Sequence, residues 1–220
     1  MTDQVINEVV TDAASGGPGQ AVATLPTLPN IEWKPLQSFS SRQGKQVELV
    51  VVHTWGSRKG STVDGVWGYQ SNPSNQVSSH FIYGGTVGPD ANRLVQGVAL
   101  GDKAWTNCAF NVISATIECN DTIFNYGAGA GIEQDAFGME VVARIVAWHL
   151  HRFVLPPNWV KGTALLNGSK GFTRHADLGS AGCGHGMCPT TDMTRWSRFC
   201  DLVKREYKRG GFRPDWQPKE

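Results

Sequence analysis

Charge is scarce in this chain of 220 residues: Asp, Glu, Lys and Arg together make up 18% and leave a net charge of +1. No basic stripe stands ready to bind nucleic-acid phosphates, so nucleic acid is not an expected partner. Long apolar runs are missing as well. None approaches the roughly 18 residues that a helical membrane span needs, and the first residues, MTDQVINEVVTDAAS, lack the positive and then apolar pattern of a signal peptide. Neither membrane insertion nor secretion by such a signal is expected. Cysteine is limited to five, an odd number that a complete disulfide framework cannot absorb, so at least one thiol is left free or for a metal. The length suits one sizeable core, hence one domain.

Periodic structure is also lacking at the start. The stretch TDAASGGPGQAVATLPTLPN is rich in Gly, Ala, Pro and Thr, without an apolar repeat that could bury a face. Residues 1–30 are therefore expected to be a flexible leader or linker, 31–209 the folded domain, and the Pro-containing 210–220 a polar tail or linker.

Within the domain, residues 47–54 (VELVVVHT) form the clearest strand, a β-branched run continuous enough to be buried on both faces, with His53 at its carboxyl end. Residues 77–83 (VSSHFIY) and 93–99 (RLVQGVA) read as a hairpin, and 114–119 (SATIEC) as a further strand carrying Glu118. A weak helix is expected over 61–73, ending at Asn72-Pro73. A stronger one covers 134–153, with a stripe of Phe137, Val141, Ile145, Trp148 and Leu150. His149 and His151, two residues apart, cannot share a helix face and receive no chemical role. The last helix should start at Thr191 or Asp192 and bury Trp196, Phe199 and Val203. Strands mixed with helices make this an α/β domain with a central mixed sheet flanked by helices.

The chemistry concentrates in TRHADLGSAGCGHGMCPTTDMTRW, residues 173–196, which holds two of the six histidines and two of the five cysteines among glycines. Imidazole and thiolate are the donors zinc prefers. The cysteines could instead be ordinary small core residues or form a disulfide; as metal donors they allow two arrangements. Cys183, His185 and Cys188 would make a closed structural knuckle, whereas a hydrolytic site needs three ligands from separate segments and an open fourth position. His53, at a strand end where α/β sheets place their sites, is the partner the second arrangement requires.

The segments VVVHT, VSSHFI, LVQGV, AW, NVISATIE, RHAD and CPTTDMTRW, in this order, resemble the zinc N-acetylmuramoyl-L-alanine amidases of the amidase-2 and peptidoglycan-recognition-protein type. The CP-x-x-D-x-x-RW ending is especially similar to phage lysozymes that act as amidases. The resemblance spans about residues 47–203. It implies a zinc ion (Zn²⁺) held by His53, His175 and Cys188, with Glu118 as the catalytic carboxylate. It also implies zinc-activated cleavage of the amide between N-acetylmuramic acid and the L-alanine of the stem peptide. Ser79 and Thr106 stand where relatives carry tyrosine and histidine, and His80, Asn111 and His185 are candidate hydrogen-bond donors. These five form the expected substrate-binding set. Gly186 replaces a lysine found in many relatives, and the twelve residues between His175 and Cys188 make a longer loop than usual.

The implied partner is bacterial peptidoglycan, with further lysin domains attachable through the terminal linkers. Such a phage lysin would wait in the host cytoplasm until the membrane is opened and then act on the wall. Two other readings stay open: a peptidoglycan-binding module of the same fold without turnover, and the structural knuckle on an unrelated α/β domain.

Overall fold

The computed structural model describes residues 28–56, 61–124, 135–183, 185–212 and 216–220. Nearly all of the expected leader and the glycine-rich loop at 127–131 lie outside them. In chain order come β1 (Ile31–Trp33), β2 (Phe39–Ser41), β3 (Leu49–Thr54), α1 (Val63–Ser71), β4 (Phe81–Tyr83), β5 (Leu94–Gln96), β6 (Asp102–Ala104) and β7 (Ser114–Cys119). They are followed by α2 (Asp121–Phe124), α3 (Ala136–Arg152), α4 (Thr163–Leu166), β8 (Gly171–Arg174) and α5 (Met193–Arg209).

Six strands form one sheet in the order β1-β5-β4-β7-β3-β8, while β2 and β6 make a separate antiparallel pair. Only β4 and β5 run antiparallel within the large sheet; every other pairing is parallel. The mixed sheet expected from the strand pattern is thus the one observed. Strand β3 lies between β7 and β8, and Val50, Val51 and Val52 are all fully buried. A continuous run of β-branched residues suits a strand with both faces covered.

Alternation along each strand divides the core. Val50 and Val52 of β3, Phe81 and Tyr83 of β4, and Ala115 and Ile117 of β7 pack with α3 and α5 on one face. The opposite face carries Leu49 and Val51 with Leu165 and Leu178, and Ile82 and Val95 under Val63 of α1. Caps locate the helices as side-chain chemistry predicts: Thr62 accepts from Gly65 N, Asp135 from Gly138 N, and Asp192 from Thr194 N and Arg195 N. Helix α5 buries Trp196, Phe199 and Val203 and stops at Gly210, whose φ of 57° is a conformation glycine adopts freely. In α3 the buried stripe begins at Met139, and Phe137 is 59% exposed.

The carboxyl end corrects the expectation of a polar tail. Trp216 is buried, its ring centroid 4.7 Å from that of Trp148, and its indole N–H donates to Pro29 O at 2.8 Å. Lys219 N donates to Gln96 Oε1 at 2.7 Å, and Leu100 N to Lys219 O at 3.0 Å. A large apolar ring with one satisfiable donor gains more from burial than a Pro-containing segment loses by being fixed. Leu28, at the end of the expected leader, is buried in the same core.

Candidate metal centre

The period of two that divides the core also builds the site. His53 follows Leu49 and Val51 on the face away from α3 and α5, and parallel register sets it directly beside Glu118 of β7. On the other side Val52 pairs with Arg174, so the next residue, His175, falls beside His53. Three adjacent parallel strands therefore deliver two imidazoles and a carboxylate at their carboxyl ends, where open α/β sheets bind ligands.

Cys188 comes from the loop before α5, which is stitched to the residue after each histidine. Ala176 N donates to Cys188 O at 2.8 Å, and Thr54 N donates to Cys188 Sγ at 3.3 Å. The ligand atoms of His53, His175 and Cys188 all lie within 4.8 Å of one another, the one such cluster among the described residues. These residues are 2%, 4% and 5% exposed, and Glu118, with Oε1 3.8 Å from His53 Nδ1, is 8% exposed. Low exposure strengthens every charge interaction there.

The histidines are oriented from behind. His175 Nε2 lies 2.7 Å from the Gly182 carbonyl, which can only accept, so Nε2 carries the proton and Nδ1 keeps a lone pair. His53 Nε2 lies 2.7 Å from Asn107 Oδ1, whose amide is turned this way because Nδ2 donates to Ser114 Oγ at 2.8 Å. Both rings thus present Nδ1, with the outer nitrogen bonded to an acceptor as metal-bound histidines require.

Electrostatics points the same way. Burial, reinforced by His175, holds His53 well below the usual histidine range, and burial lowers His175 to about 4. Both are neutral near pH 7, with lone pairs available. Burial and the neighbouring Glu118 raise the Cys188 thiol to about 12, while burial and Asp121 raise Glu118 to about 8. The protein's own groups therefore disfavour negative charge, and a divalent cation would reverse that balance by stabilising the thiolate. Two imidazoles and one thiolate fit zinc, and three protein ligands leave a fourth position for water or substrate.

Cys183 is not available for a knuckle. It is disulfide-bonded to Cys108 across 75 residues, with the Cα atoms 5.9 Å apart, within the normal span of such a bridge. Cys119, Cys188 and Cys200 are free. A disulfide is one reading of this stretch, but Cys108 as the partner, like the role of Asn107, escapes it, because no local spacing links partners so far apart.

Of the five expected substrate-binding residues, His185 alone reaches the mouth of the site. It is exposed and stacks on His175, with ring centroids 4.6 Å apart. Ser79 and His80 are fully buried and are corrected to structural roles. Ser79 N and Oγ both donate to Gln70 Oε1 at 2.9 Å. The His80 ring contacts the Thr116 hydroxyl, the Asp102 carbonyl and the Arg42 guanidinium. Asn111 uses its side-chain oxygen to accept from Thr106 N at 2.9 Å and from Asn107 N, and the Thr106 hydroxyl donates to Ser78 O. These two residues shape the turn that holds Asn107.

No protein-family model matches the chain, and no curated protein matches it. Solved structures share its fold. Staphylococcus aureus hydrolase AmiA, solved in complex with its ligand, superposes with a TM-score of 0.62 at 16% identity over 87% of this chain and 89% of that one. The catalytic domain of XlyA gives 0.54 at 16% identity over 79% of this chain and 99% of its own. N-acetylmuramoyl-L-alanine amidase LysC from Clostridium intestinale URNW gives 0.54 at 10% identity over 80% and 98%. The chain therefore has the fold of amidase and endolysin catalytic domains.

Proposed function

We propose that this protein is a zinc-dependent peptidoglycan hydrolase cleaving the amide between N-acetylmuramic acid and the L-alanine of the stem peptide, in the manner of a phage lysin. The observation that carries the reading is the convergence of His53, His175 and Cys188 beside a buried carboxylate, on a fold shared with an N-acetylmuramoyl-L-alanine amidase. When bound, zinc would supply Lewis-acid polarisation of the scissile carbonyl and of a water molecule. Glu118 accepts the proton of the attacking water and returns it to the leaving amine. A divalent cation beside it favours the ionised carboxylate, the form that can accept a proton. His185, exposed and stacked on His175, would bond the substrate or the developing oxyanion.

As a phage lysin of this kind, the enzyme would wait in the host cytoplasm and reach the wall once a membrane-opening partner acts. The test is mass analysis of purified peptidoglycan after incubation with the zinc-loaded protein. New L-alanine amino termini without new reducing sugars are the expected products. New reducing sugars would make the enzyme a glycosidase, and binding without release would identify a non-catalytic wall-binding module.

A further inference from the structure

The two hydrogen bonds that orient the metal-facing histidines share a neighbour. Asn107, the acceptor for His53, immediately precedes Cys108; Gly182, the acceptor for His175, immediately precedes Cys183; and the two cysteines are bonded to each other. Both cysteines occupy the left-handed region, with φ of 48° and 74°, which non-glycine residues adopt only when the surroundings enforce it. Gly182 cannot be replaced freely, because a Cβ there would stand 2.2 Å from Leu178 Cβ. The 3₁₀ segment that Asn107 precedes, Cys108–Ile113, and the one that ends in Gly182, His175–Gly182, meet through Phe110 and Leu178 in one small core.

We propose that the Cys108–Cys183 disulfide is a positioning element of the metal centre. It clamps the acceptor of one histidine to the acceptor of the other, so that both Nδ1 atoms face the ion, and the oxidised chain binds zinc more tightly than the reduced one. This rests on the zinc reading above.

Accessibility makes the clamp a redox device as well. Cys108 and Cys183 are exposed, whereas the free thiols of Cys119, Cys188 and Cys200 are buried. A small-molecule dithiol attacks one sulfur of the bridge and releases the other cysteine as a thiol. Its second thiol then displaces the attacked cysteine sulfur from the mixed disulfide, giving two cysteine thiols and a cyclic small-molecule disulfide. In the opposite direction a small-molecule disulfide takes up the two electrons and two protons and departs as two thiols. A chain made in a reducing cytoplasm would thus hold zinc loosely and tighten its site once outside.

The experiment compares zinc dissociation constants, by competition with a chromophoric chelator, of oxidised wild type and the Cys108→Ser/Cys183→Ser double variant. Circular dichroism confirms that both are folded at the working temperature. Loss of an outer-shell partner weakens metal binding by roughly 10–100-fold, and the double variant should fall in that range. Wild type reduced by a phosphine and desalted provides the same comparison without mutation, its unfolded chain titrating five thiols against three when oxidised. In an Asn107→Ala background, removing the bridge should cost clearly less, because one of the acceptors it positions is gone. Equal affinities in folded wild type and double variant, or a fully additive loss in that background, would overturn the clamp. Wild type that binds no zinc would overturn the zinc reading itself.

Discussion

Replacing Glu118 by Gln keeps the side chain's shape while removing its charge and its capacity to accept a proton. Burial has raised this carboxyl from 4.5 to about 8. A group whose folded pKa lies above its unfolded one stabilises the fold below the unfolded value and loses that contribution as pH rises, here between 4.5 and about 8. At pH 7 roughly 2.5 units of that shift are felt, and at about 1.4 kcal/mol per unit the ionisable side chain costs the fold on the order of 3 kcal/mol. Glu118→Gln should therefore raise the melting temperature of metal-stripped protein at pH 7 by roughly 5–10 °C, with little difference at pH 4. Metal must be stripped, since a divalent cation favours the carboxylate. The same substitution should leave zinc binding in place and lower amidase turnover by about 10²-fold or more, the scale of lost general-base help. Scanning calorimetry at the two pH values and product release from peptidoglycan check both arms. A stripped variant no more stable than wild type at pH 7 would refute the burial argument, and near-wild-type turnover in a zinc-loaded variant would remove Glu118 from the chemistry. Proton transfer would then have to fall to another group, with His185→Ala as the next measurement.

His53→Ala should lose zinc and activity together, by more than the roughly 10–100-fold expected for an outer-shell partner; full zinc occupancy by elemental analysis would dismantle the proposed ligand set. Burial holds His149 at about 4 in the fold, so its stabilising contribution is present above about 6.5, the ordinary histidine value, and is lost as pH falls toward 4. His149→Phe, which cannot titrate, should flatten the decline in chemical-denaturation stability between pH 7 and 4 by on the order of 3 kcal/mol, and an unchanged slope would show that other groups carry it. Expression of the protein alone should leave host cells intact until the membrane is permeabilised, and prompt lysis without that step would contradict the cytoplasmic staging.

Much of the site was legible because short segments carry both candidate donors and the family resemblance that implies which of them serve. His53 closes a β-branched run, Glu118 closes another, and Cys188 precedes the Asp192 cap of a helix whose apolar stripe is plain in the sequence. His80 and Ser79 show the limit. Next to each other in a strand-like segment, they look as available as any polar pair, yet both are fully enclosed, one by Thr116 and Arg42 and the other by Gln70. Burial of a polar side chain depends on partners the chain supplies from elsewhere, and no local pattern reports those partners.

Residue type and period by themselves determined the α/β class, the central strand, the capped helices and the donor chemistry that zinc prefers, because each depends on neighbours within a few positions. Tertiary structure alone decided which donors meet. Parallel register of β3 with β7 and β8 set His53 between Glu118 and His175, folding brought Trp216 back onto the core, and Cys183 found Cys108 instead of a metal. Those outcomes turn on strand order and on closure between residues far apart in the chain, which depend on how the whole domain packs.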